Sequence, residues 1–354
     1  MNVCEISNQA RVFGRGLWRY WRYGEPSPES NYLVQKFYAY TDGRSNDLLF
    51  RLLEAKRSKE NFKSDGFAES LIDPAETSDG SIGEAVATLQ RDGVVVLPSR
   101  LKEEAIRNLY QLASSCTLNT LTFGSMPGAG KETEVPVKER GTIRGIDPHR
   151  PEYSFYEVPR SVLLENRYVQ RLLCDSYLFA VAARYLGVFP VVTRPDMWWD
   201  TDFLPNGWRP RPFHVDSGCL RWLKIGVNLT DTRVETPHFV YVKGSHRPNR
   251  MTRRLIRRLS NRMNLTDKEV REVCPGKIVH ITAPAGSITL ADTRGIHKGE
   301  LSQRGFRLIL YFGLEGSAFN NTDRPVQLGY VGPELARAMS ARPFSYQFFR
   351  TTKD

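Results

Sequence analysis

The most constraining feature of this sequence is a set of polar side chains spread over residues 213–307. His214 and Asp216 are separated by a single residue, and His297 follows much later in the chain. Because successive side chains of a strand point to opposite faces, His214 and Asp216 would point the same way in an extended segment. Two histidines and one carboxylate form the set that holds non-haem Fe(II) on one face and leaves the opposite face open. The sequence therefore predicts a metal site at His214, Asp216 and His297.

Arg307 adds a permanent cation to this set, ten residues after His297. Its guanidinium is a planar fork that matches the geometry of a carboxylate. The four residues together predict an iron enzyme that also binds an organic acid. Side chains that orient the metal histidines must exist as well, and Asp292 and Thr293 are candidates.

The segment from residue 80 to residue 315 resembles the phytanoyl-CoA dioxygenase family of Fe(II)/2-oxoglutarate oxygenases. His-Val-Asp at 214–216 matches the family's first metal motif, and Gly-Phe-Arg at 305–307 matches its site for the distal carboxylate of 2-oxoglutarate. The ordered set carries the resemblance more than any single motif does. Three further segments are similar to the family: Val-Lys-Gly-Ser-His at 242–246, the stretch 286–292 that leads into His297, and the strand-like run 91–97.

The resemblance implies an α+β fold with a mainly β core, namely a double-stranded β-helix of the jelly-roll, cupin-like kind, buttressed by helices. It implies that His214, Asp216 and His297 are the catalytic iron ligands and that Arg307 pairs with the far carboxylate of 2-oxoglutarate. It further implies a dioxygenase that uses O2 and 2-oxoglutarate to hydroxylate an unactivated C–H, releasing succinate and CO2. Family relatives that halogenate lack the metal carboxylate, so Asp216 favours oxygenation.

Two segments depart from the family pattern, residues 235–238 and residues 298–301, so the acyl-CoA substrate of the namesake is not assumed. Zinc is less favoured than iron, because structural zinc usually takes four protein ligands and Cys219 has no second cysteine nearby. Three functional hypotheses remain open. They are a hydroxylase of an anionic or carrier-linked small molecule (a sugar, lipid or natural-product intermediate), a membrane-surface oxygenase of a lipid or glycolipid, and a non-catalytic jelly roll that binds a ligand.

The composition is that of an ordinary soluble globular protein, with 354 residues of which 40% are hydrophobic and 25% charged. No apolar run reaches the roughly 20 residues that a membrane helix needs. The N-terminus lacks a signal-peptide pattern, and five cysteines without a CxxC pair indicate reduced thiols. We therefore expect a cytoplasmic protein, with peripheral membrane contact as an alternative. The net charge of +11 fits an anionic small molecule or membrane surface, whereas no motif supports nucleic-acid binding.

We predict three parts, an N-terminal extension at 1–78, a dioxygenase domain at 79–318 and a C-terminal tail at 319–354. The extension contains a basic-aromatic arm, residues 11–24, which either anchors at a membrane interface or packs its aromatic side chains onto the domain. Gly14 and Gly16, in the interior of the arm, weaken any helix there. A basic insertion at 248–275 is either a lid that recognises an anionic substrate or a solvated helix face. The oligomeric state is left open.

Apolar periodicity predicts the remaining elements. Residues 122–148 are predicted as a loop, and Arg140 and Arg144 of this loop are candidate substrate contacts. The predicted helices are at 47–63, 82–92, 101–113, 161–186 and 333–340, and the predicted strands at 94–97, 189–199, 223–229, 239–242, 277–282, 287–291 and 306–313.

Overall fold

The structure is a computed structural model. It describes residues 3–41, 43–57, 70–72, 78–121, 141–203, 211–247, 250–259, 264–300 and 304–351. Arg140, most of the predicted loop at 122–148 and the end of the helix predicted at 47–63 lie outside the described residues.

The described chain begins with four helices and continues with groups of strands and helices. The helices are α1 (Val3–Tyr23), α2 (Asn31–Tyr40), α3 (Arg44–Leu53), α4 (Asp79–Asp92), α5 (Glu103–Ser115), α6 (Arg160–Glu165), α7 (Arg167–Leu173), α8 (Ser176–Leu186), α9 (Arg250–Arg258), α10 (Asp267–Val273) and α11 (Pro333–Ala341), with one 3-10 turn at Pro28–Ser30. The strands are β1 (Val94–Arg100), β2 (Thr117–Leu121), β3 (Gly141–Arg144), β4 (Phe155–Val158), β5 (Val191–Val192), β6 (Asp196–Thr201), β7 (Trp222–Asn228), β8 (His238–Val242), β9 (Ile278–Ile281), β10 (Ser287–Ala291), β11 (His297–Glu300), β12 (Phe306–Glu315), β13 (Val326–Gln327) and β14 (Phe349–Arg350).

Nine strands form one large sheet in the order β1-β10-β7-β12-β6-β4-β2-β3, with β5 pairing on β12. Every pairing within this sheet is antiparallel. A second antiparallel sheet has the order β11-β8-β9, and β13 and β14 form a separate parallel pair. The mixed helix and strand architecture expected from the sequence is therefore confirmed, and its largest component is an antiparallel sheet.

Strand β7 shows why the two faces of the large sheet differ. Leu223, Ile225 and Val227 are fully buried in one hydrophobic cluster with apolar residues of α4, α5 and α8. Burial of each such side chain stabilises the fold by about 1.5–3 kcal/mol, which fixes the register of the strand. The alternate residues Lys224 and Asn228 consequently face the other way and line a cavity. Phe239 of β8 and Ile281 of β9 line the same cavity, so the two sheets face each other across it.

The stretch 161–186 is predicted from its periodicity as continuous helix, but the structure breaks it into α6, α7 and α8. The breaks lie at Asn166 and Asp175, whose side chains accept hydrogen bonds from the backbone N–H groups two and three residues further on. Asparagine and aspartate compete for backbone donors in this way, and each therefore starts a new helix.

Helix α1 is docked onto the rest of the chain despite its two glycines. The Tyr20 hydroxyl donates to Glu54 Oε1 at 2.6 Å, and the Tyr20 ring packs edge-on against Phe319 with centroids 5.6 Å apart. Gly16 lies where a Cβ would collide with the Ser27 hydroxyl, so this glycine permits the close approach of the 3-10 turn. Residues from all three predicted parts contribute to one hydrophobic cluster, and the boundaries at 78 and 318 stay predictions.

The described part of the basic insertion at 248–275 packs against the small sheet. Leu255 of α9 and Val270 of α10 share a hydrophobic cluster with Val240 and Val242 of β8. These two valines alternate with Phe239, which faces the cavity, so α9 and α10 cover the outer face of the small sheet. The described residues of the insertion accordingly lie behind the sheet, and its proposed role as a lid stays a prediction.

Candidate metal centre

Backbone pairing brings His214 and His297 side by side. The two residues form an isolated antiparallel bridge in which each backbone N–H donates to the carbonyl of the other at 2.9 Å. Two residues further on, the N–H of Asp216 donates to the carbonyl of Thr293 at 2.8 Å. The imidazole centroids of His214 and His297 are 4.3 Å apart. The fold therefore places the first histidine motif directly against the turn that leads into β11.

The side chains of His214, Asp216 and His297 converge on one point. Asp216 Oδ1 lies 3.8 Å from His214 Nε2, and Asp216 Oδ2 lies 3.6 Å from His297 Nε2. One ligand atom from each of the three residues can be chosen so that all lie within 4.8 Å of one another. Ligand atoms around a single ion lie roughly 3–4 Å apart, because each is about 2.1 Å from the metal. No other such group of three or more His, Cys, Asp or Glu residues occurs in the part of the chain that the structure describes.

Both histidines present Nε2 to this point because Nδ1 is already engaged. His214 Nδ1 lies 3.2 Å from the carbonyl oxygen of Pro212, and His297 Nδ1 lies 2.9 Å from that of Gly295. A carbonyl oxygen only accepts, so each Nδ1 carries the proton and donates it. The lone pair of each Nε2 is thereby left for a ligand, as in histidines that bind metals. Asp292 and Thr293, the candidates from the sequence, do not orient the rings; backbone carbonyls do.

Burial and neighbouring charge set the protonation of the cluster. Burial lowers the pKa of His297 far below its ordinary value, which keeps the ring neutral. Burial acts to raise the pKa of Asp216, but its electrostatic interactions with His297, Lys224 and His214 outweigh burial, and its pKa lies below its ordinary value. A neutral imidazole and an ionised carboxylate are the states that coordinate a metal.

The turn 292–296 before His297 is held by a buried charged network. Arg294 donates to Asp292 through Nε at 2.9 Å and through Nη2 at 2.6 Å. The Tyr185 hydroxyl of α8 donates to Asp292 Oδ2 at 2.8 Å, and Arg294 Nη1 lies 3.4 Å from Asp47 Oδ1 of α3. Burial alone would raise the pKa of Asp292, but Arg294 outweighs it and the carboxyl stays ionised. The position of His297 therefore depends on contacts from distant helices.

Arg307 is buried in β12 and lines the cavity between the two sheets. Its Nε and Nη2 donate to Asp200 Oδ2 at 3.2 Å and 2.5 Å, while Arg211 Nη2 donates to Asp200 Oδ1 at 2.7 Å. Burial would raise the pKa of Asp200, but the two arginines hold it below its ordinary value. Two guanidinium groups thus share one carboxylate. Asp200 follows the paired tryptophans in sequence, and its role was not predicted.

Lys224 is a second cavity-lining cation that sequence reasoning missed. Its Nζ lies 5.2 Å from the ring centroid of Tyr311 and 5.9 Å from that of Trp222. It forms no salt bridge among the described residues, although its charge helps to lower the pKa of Asp216. In the pairing of β7 with β10, Lys224 lies opposite Ala291, and Ala291 is two residues before Thr293. Lys224 is therefore at the end of the cavity nearest the candidate metal site. A lysine alternating with Leu223 and Ile225 in an apolar strand is the signal that identifies it.

No protein-family model matches this sequence, and no curated protein matches it either. Among solved structures, the epimerase SnoN from nogalamycin biosynthesis in complex with Fe3+, alpha ketoglutarate and nogalamycin RO is 18% identical, with 67% of this chain and 85% of that chain covered and a TM-score of 0.45. AviO1 from Streptomyces viridochromogenes Tue57 is 17% identical, with 66% and 94% covered and a TM-score of 0.42. EctD from S. alaskensis is 16% identical, with 73% and 81% covered and a TM-score of 0.43. Similarity at this level does not assign the chain to any of these enzymes.

Proposed function

We propose that this chain is an Fe(II)/2-oxoglutarate-dependent dioxygenase whose core is a double-stranded β-helix. Its Fe(II) would be held by His214, Asp216 and His297. The observation that carries the proposal is the convergence of these side chains within 4.8 Å, with both Nδ1 atoms engaged elsewhere. Two antiparallel sheets face each other across a cavity whose lining residues Phe239 and Thr293 contact His297 and Asp216, an arrangement that fits a jelly-roll metal enzyme.

The donor set fits iron better than a structural zinc. Two imidazoles and one carboxylate leave part of a metal's coordination sphere open, whereas structural zinc is closed by four protein ligands. The thiol of Cys219, the nearest cysteine in sequence, donates to Glu315 Oε1 at 3.4 Å, and burial holds its pKa well above the ordinary value. Cys219 is therefore a protonated thiol engaged elsewhere, and it does not complete a zinc set.

When bound, iron would supply the chemistry by which O2 oxidises 2-oxoglutarate to succinate and CO2 with one oxygen atom and converts a substrate C–H bond to a hydroxyl group with the other. The residues of the chain perform the remaining tasks. His214, Asp216 and His297 hold one face of the metal, and the buried walls of the cavity limit the access of water. Fe3+ and alpha ketoglutarate are named for the SnoN complex, so the cofactors expected from the sequence are those of that structural relative.

We assign Arg307 to the distal carboxylate of 2-oxoglutarate, as the family resemblance implies. Arg307 is buried, it shares the carboxylate of Asp200 with Arg211, and it lines the cavity. A permanently charged guanidinium that lines a cavity offers a charge-assisted contact to a carboxylate. Lys224, at the end of the cavity nearest the candidate metal site, would bind a second carboxylate group, which belongs to either the co-substrate or the substrate. A dianionic acid placed between Lys224 and Arg307 would balance both cations.

We propose hydroxylation of an anionic or carrier-linked small molecule, such as a sugar, lipid or natural-product intermediate. The two cavity cations support an anionic group on the substrate or co-substrate. The exposed aromatic residues Trp18, Trp21 and Tyr23 of α1 favour a membrane-surface oxygenase of a lipid or glycolipid as a second candidate. A non-catalytic jelly roll that binds a ligand is the third candidate.

Turnover of 2-oxoglutarate tests the proposal directly. Purified protein with Fe(II), ascorbate and 2-oxoglutarate should release succinate in air and none under argon. His214→Ala should abolish the release, whereas His149→Ala, which replaces an exposed loop histidine, should retain it. Succinate release by the His214→Ala variant at the wild-type rate would reject the metal assignment. Binding of Fe(II) and 2-oxoglutarate by calorimetry without any succinate would favour the non-catalytic alternative.

A further inference from the structure

The solvent-facing side of α1 carries large aromatic and basic side chains together. Trp18, Trp21 and Tyr23 are 55%, 55% and 60% exposed, although residues of this size are usually packed. We name this surface the basic-aromatic face. It comprises Trp18, Trp21 and Tyr23 with the exposed arginines Arg11, Arg15, Arg19 and Arg22.

The docking of α1 keeps these aromatic residues outside. The opposite side of the helix is fixed by the Tyr20 hydroxyl, which donates to the buried Glu54 at 2.6 Å and accepts from the N–H of Ala318 at 3.1 Å. The Phe13 ring packs edge-on against Phe319 with centroids 5.8 Å apart. Rolling the helix to bury the indoles would break this network and expose the carboxylate of Glu54. The arm therefore packs Phe13 and Tyr20 onto the domain, whereas its other aromatic residues, Trp18, Trp21 and Tyr23, face solvent.

The charge of the face is of one sign. Residues 8–24 contain no aspartate or glutamate, and among the residues that the structure describes, the one arginine of this face in a salt bridge is Arg19, whose Nε donates to Glu25 at 2.9 Å. A further cation joins from the end of α3, where Lys56 Nζ lies 4.9 Å from the ring centroid of Trp21. Arg11, Arg15 and Arg22 remain as exposed positive charges interleaved with the indoles.

We propose that the basic-aromatic face docks on an anionic lipid surface, independently of the chemistry at the metal centre. Tryptophan and tyrosine rings prefer the headgroup region of a bilayer, and arginines on the same helix side are attracted by anionic lipids. None of the described helices is long and apolar enough to cross a bilayer, so the contact is a peripheral one. The helix lies flat on the surface with Trp18 and Trp21 inserted.

Charge and residue type favour lipid over two other occupants of this face. A second copy of the chain would place arginines against arginines, which like-charge repulsion opposes. Nucleic acid would accept the arginines and stack on the rings. The neighbouring helix α3, however, exposes Leu48 and Leu52, at 60% and 62%, and aliphatic side chains find a partner in lipid tails, not in phosphate.

Vesicle co-sedimentation of the full-length protein tests the proposal. Vesicles of phosphatidylcholine with added phosphatidylglycerol should bind the wild type, and vesicles of phosphatidylcholine alone should bind it far more weakly. Trp18→Ala/Trp21→Ala should lower the partition coefficient about tenfold, and Arg11→Gln/Arg15→Gln/Arg22→Gln roughly a hundredfold. The matched control is Tyr330→Ala, which removes another exposed aromatic residue, 51% exposed, and should bind as the wild type does. Brominated lipids should quench tryptophan fluorescence in the wild type more than in the double tryptophan variant.

The substituted side chains are exposed, so all variants should keep the wild-type unfolding midpoint, and loss of binding cannot be attributed to misfolding. The proposal is overturned by equal binding to neutral and anionic vesicles, or by wild-type binding of the double tryptophan variant. It is also overturned if the wild type binds a single-stranded oligonucleotide but no vesicles. A dimer that Trp18→Ala/Trp21→Ala dissociates, without vesicle binding, would assign the face to a second copy instead.

Discussion

Replacing Asp292 by asparagine should destabilise the protein and weaken its metal binding at the same time. The substitution keeps the shape of the side chain and the contact with the Tyr185 hydroxyl, but it removes the negative charge that faces Arg294. Arg294 is then a buried cation whose main partner is gone. The turn 292–296 leads directly to His297, so disorder in this turn should displace the His297 imidazole from the candidate metal centre.

The size of the expected loss of stability depends on which hydrogen-bond and ion-pair partners Arg294 keeps in the variant. Breaking a buried ion pair by removing one partner costs about 3–5 kcal/mol. Arg294 keeps a hydrogen bond to the carbonyl of Leu220 at 3.1 Å and the partly exposed Asp47 at 3.4 Å. We therefore expect the lower end, about 3 kcal/mol in the free energy of unfolding. Loss of a group that positions a metal ligand should weaken metal affinity by about 10–100-fold.

Urea unfolding and calorimetric titration with Co(II) measure the two effects on the same samples. Glu235→Gln, a charge-neutralising change at an exposed carboxylate, is the control and should alter neither quantity. Adding Arg294→Met to Asp292→Asn removes the orphaned cation, so the double variant should be more stable than Asp292→Asn alone. If Asp292→Asn unfolds within about 1 kcal/mol of the wild type, or if the double variant is the less stable one, the ion pair does not hold the turn.

Three further predictions test the centre and the buried charges. His297→Ala should weaken Co(II) binding by roughly a hundredfold, since the ion loses one of its three ligands, and a wild-type titration would contradict the ligand set. Lys224→Met should raise the 2-oxoglutarate concentration for half-saturation by about tenfold, because it removes a charge-assisted contact, whereas the exposed Lys277→Met should not; equal values for both would remove Lys224 from the anion site. Burial raises the pKa of Glu315 from 4.5 to about 7. The contribution of this carboxyl to the free energy of unfolding is therefore complete below pH 4.5. It is lost as the pH rises through about 7, and the total loss is about 3 kcal/mol. Glu315→Gln should therefore unfold at a higher temperature than the wild type at about pH 8 but not at about pH 5, and a gain of equal size at both would show that Glu315 does not titrate in this range.

The ordered motifs of the sequence were enough to predict which residues meet at the centre. His214 and Asp216 are separated by one residue in an extended segment, so strand periodicity indicated that they point the same way, whereas His297 was identified from residue chemistry and the family resemblance. Their role as iron ligands, and that of Arg307 as the co-substrate anchor, stay predictions that the metal and succinate experiments test. Strands β7, β8, β10 and β12 were predicted within two residues at each end, because their buried faces impose a regular pattern.

Short or polar elements were missed for an equally physical reason. Strands β2, β3 and β4 extend the sheet beyond β6, and β11 begins at His297, yet none has an apolar run that distinguishes it from a loop. Their hydrogen bonds come from the neighbouring strand, which local sequence cannot show. The glycines in α1 were expected to weaken a helix there, but the structure has a continuous helix. Packing of Tyr20 and Phe13 outweighs the intrinsic cost of two glycines.

The sequence by itself determined the types of donor atom at the centre, the faces of the main strands and the basic-aromatic character of α1. Only the tertiary structure decided which charges share a partner and which side chains reach solvent. Asp200 lies between Arg307 and Arg211, Arg294 reaches from the metal turn to α3, and Trp18 and Trp21 stay exposed while Tyr20 is buried. Residue type and spacing are properties of a local segment. Burial and charge pairing arise only when distant segments pack together, and they depend on every element in contact.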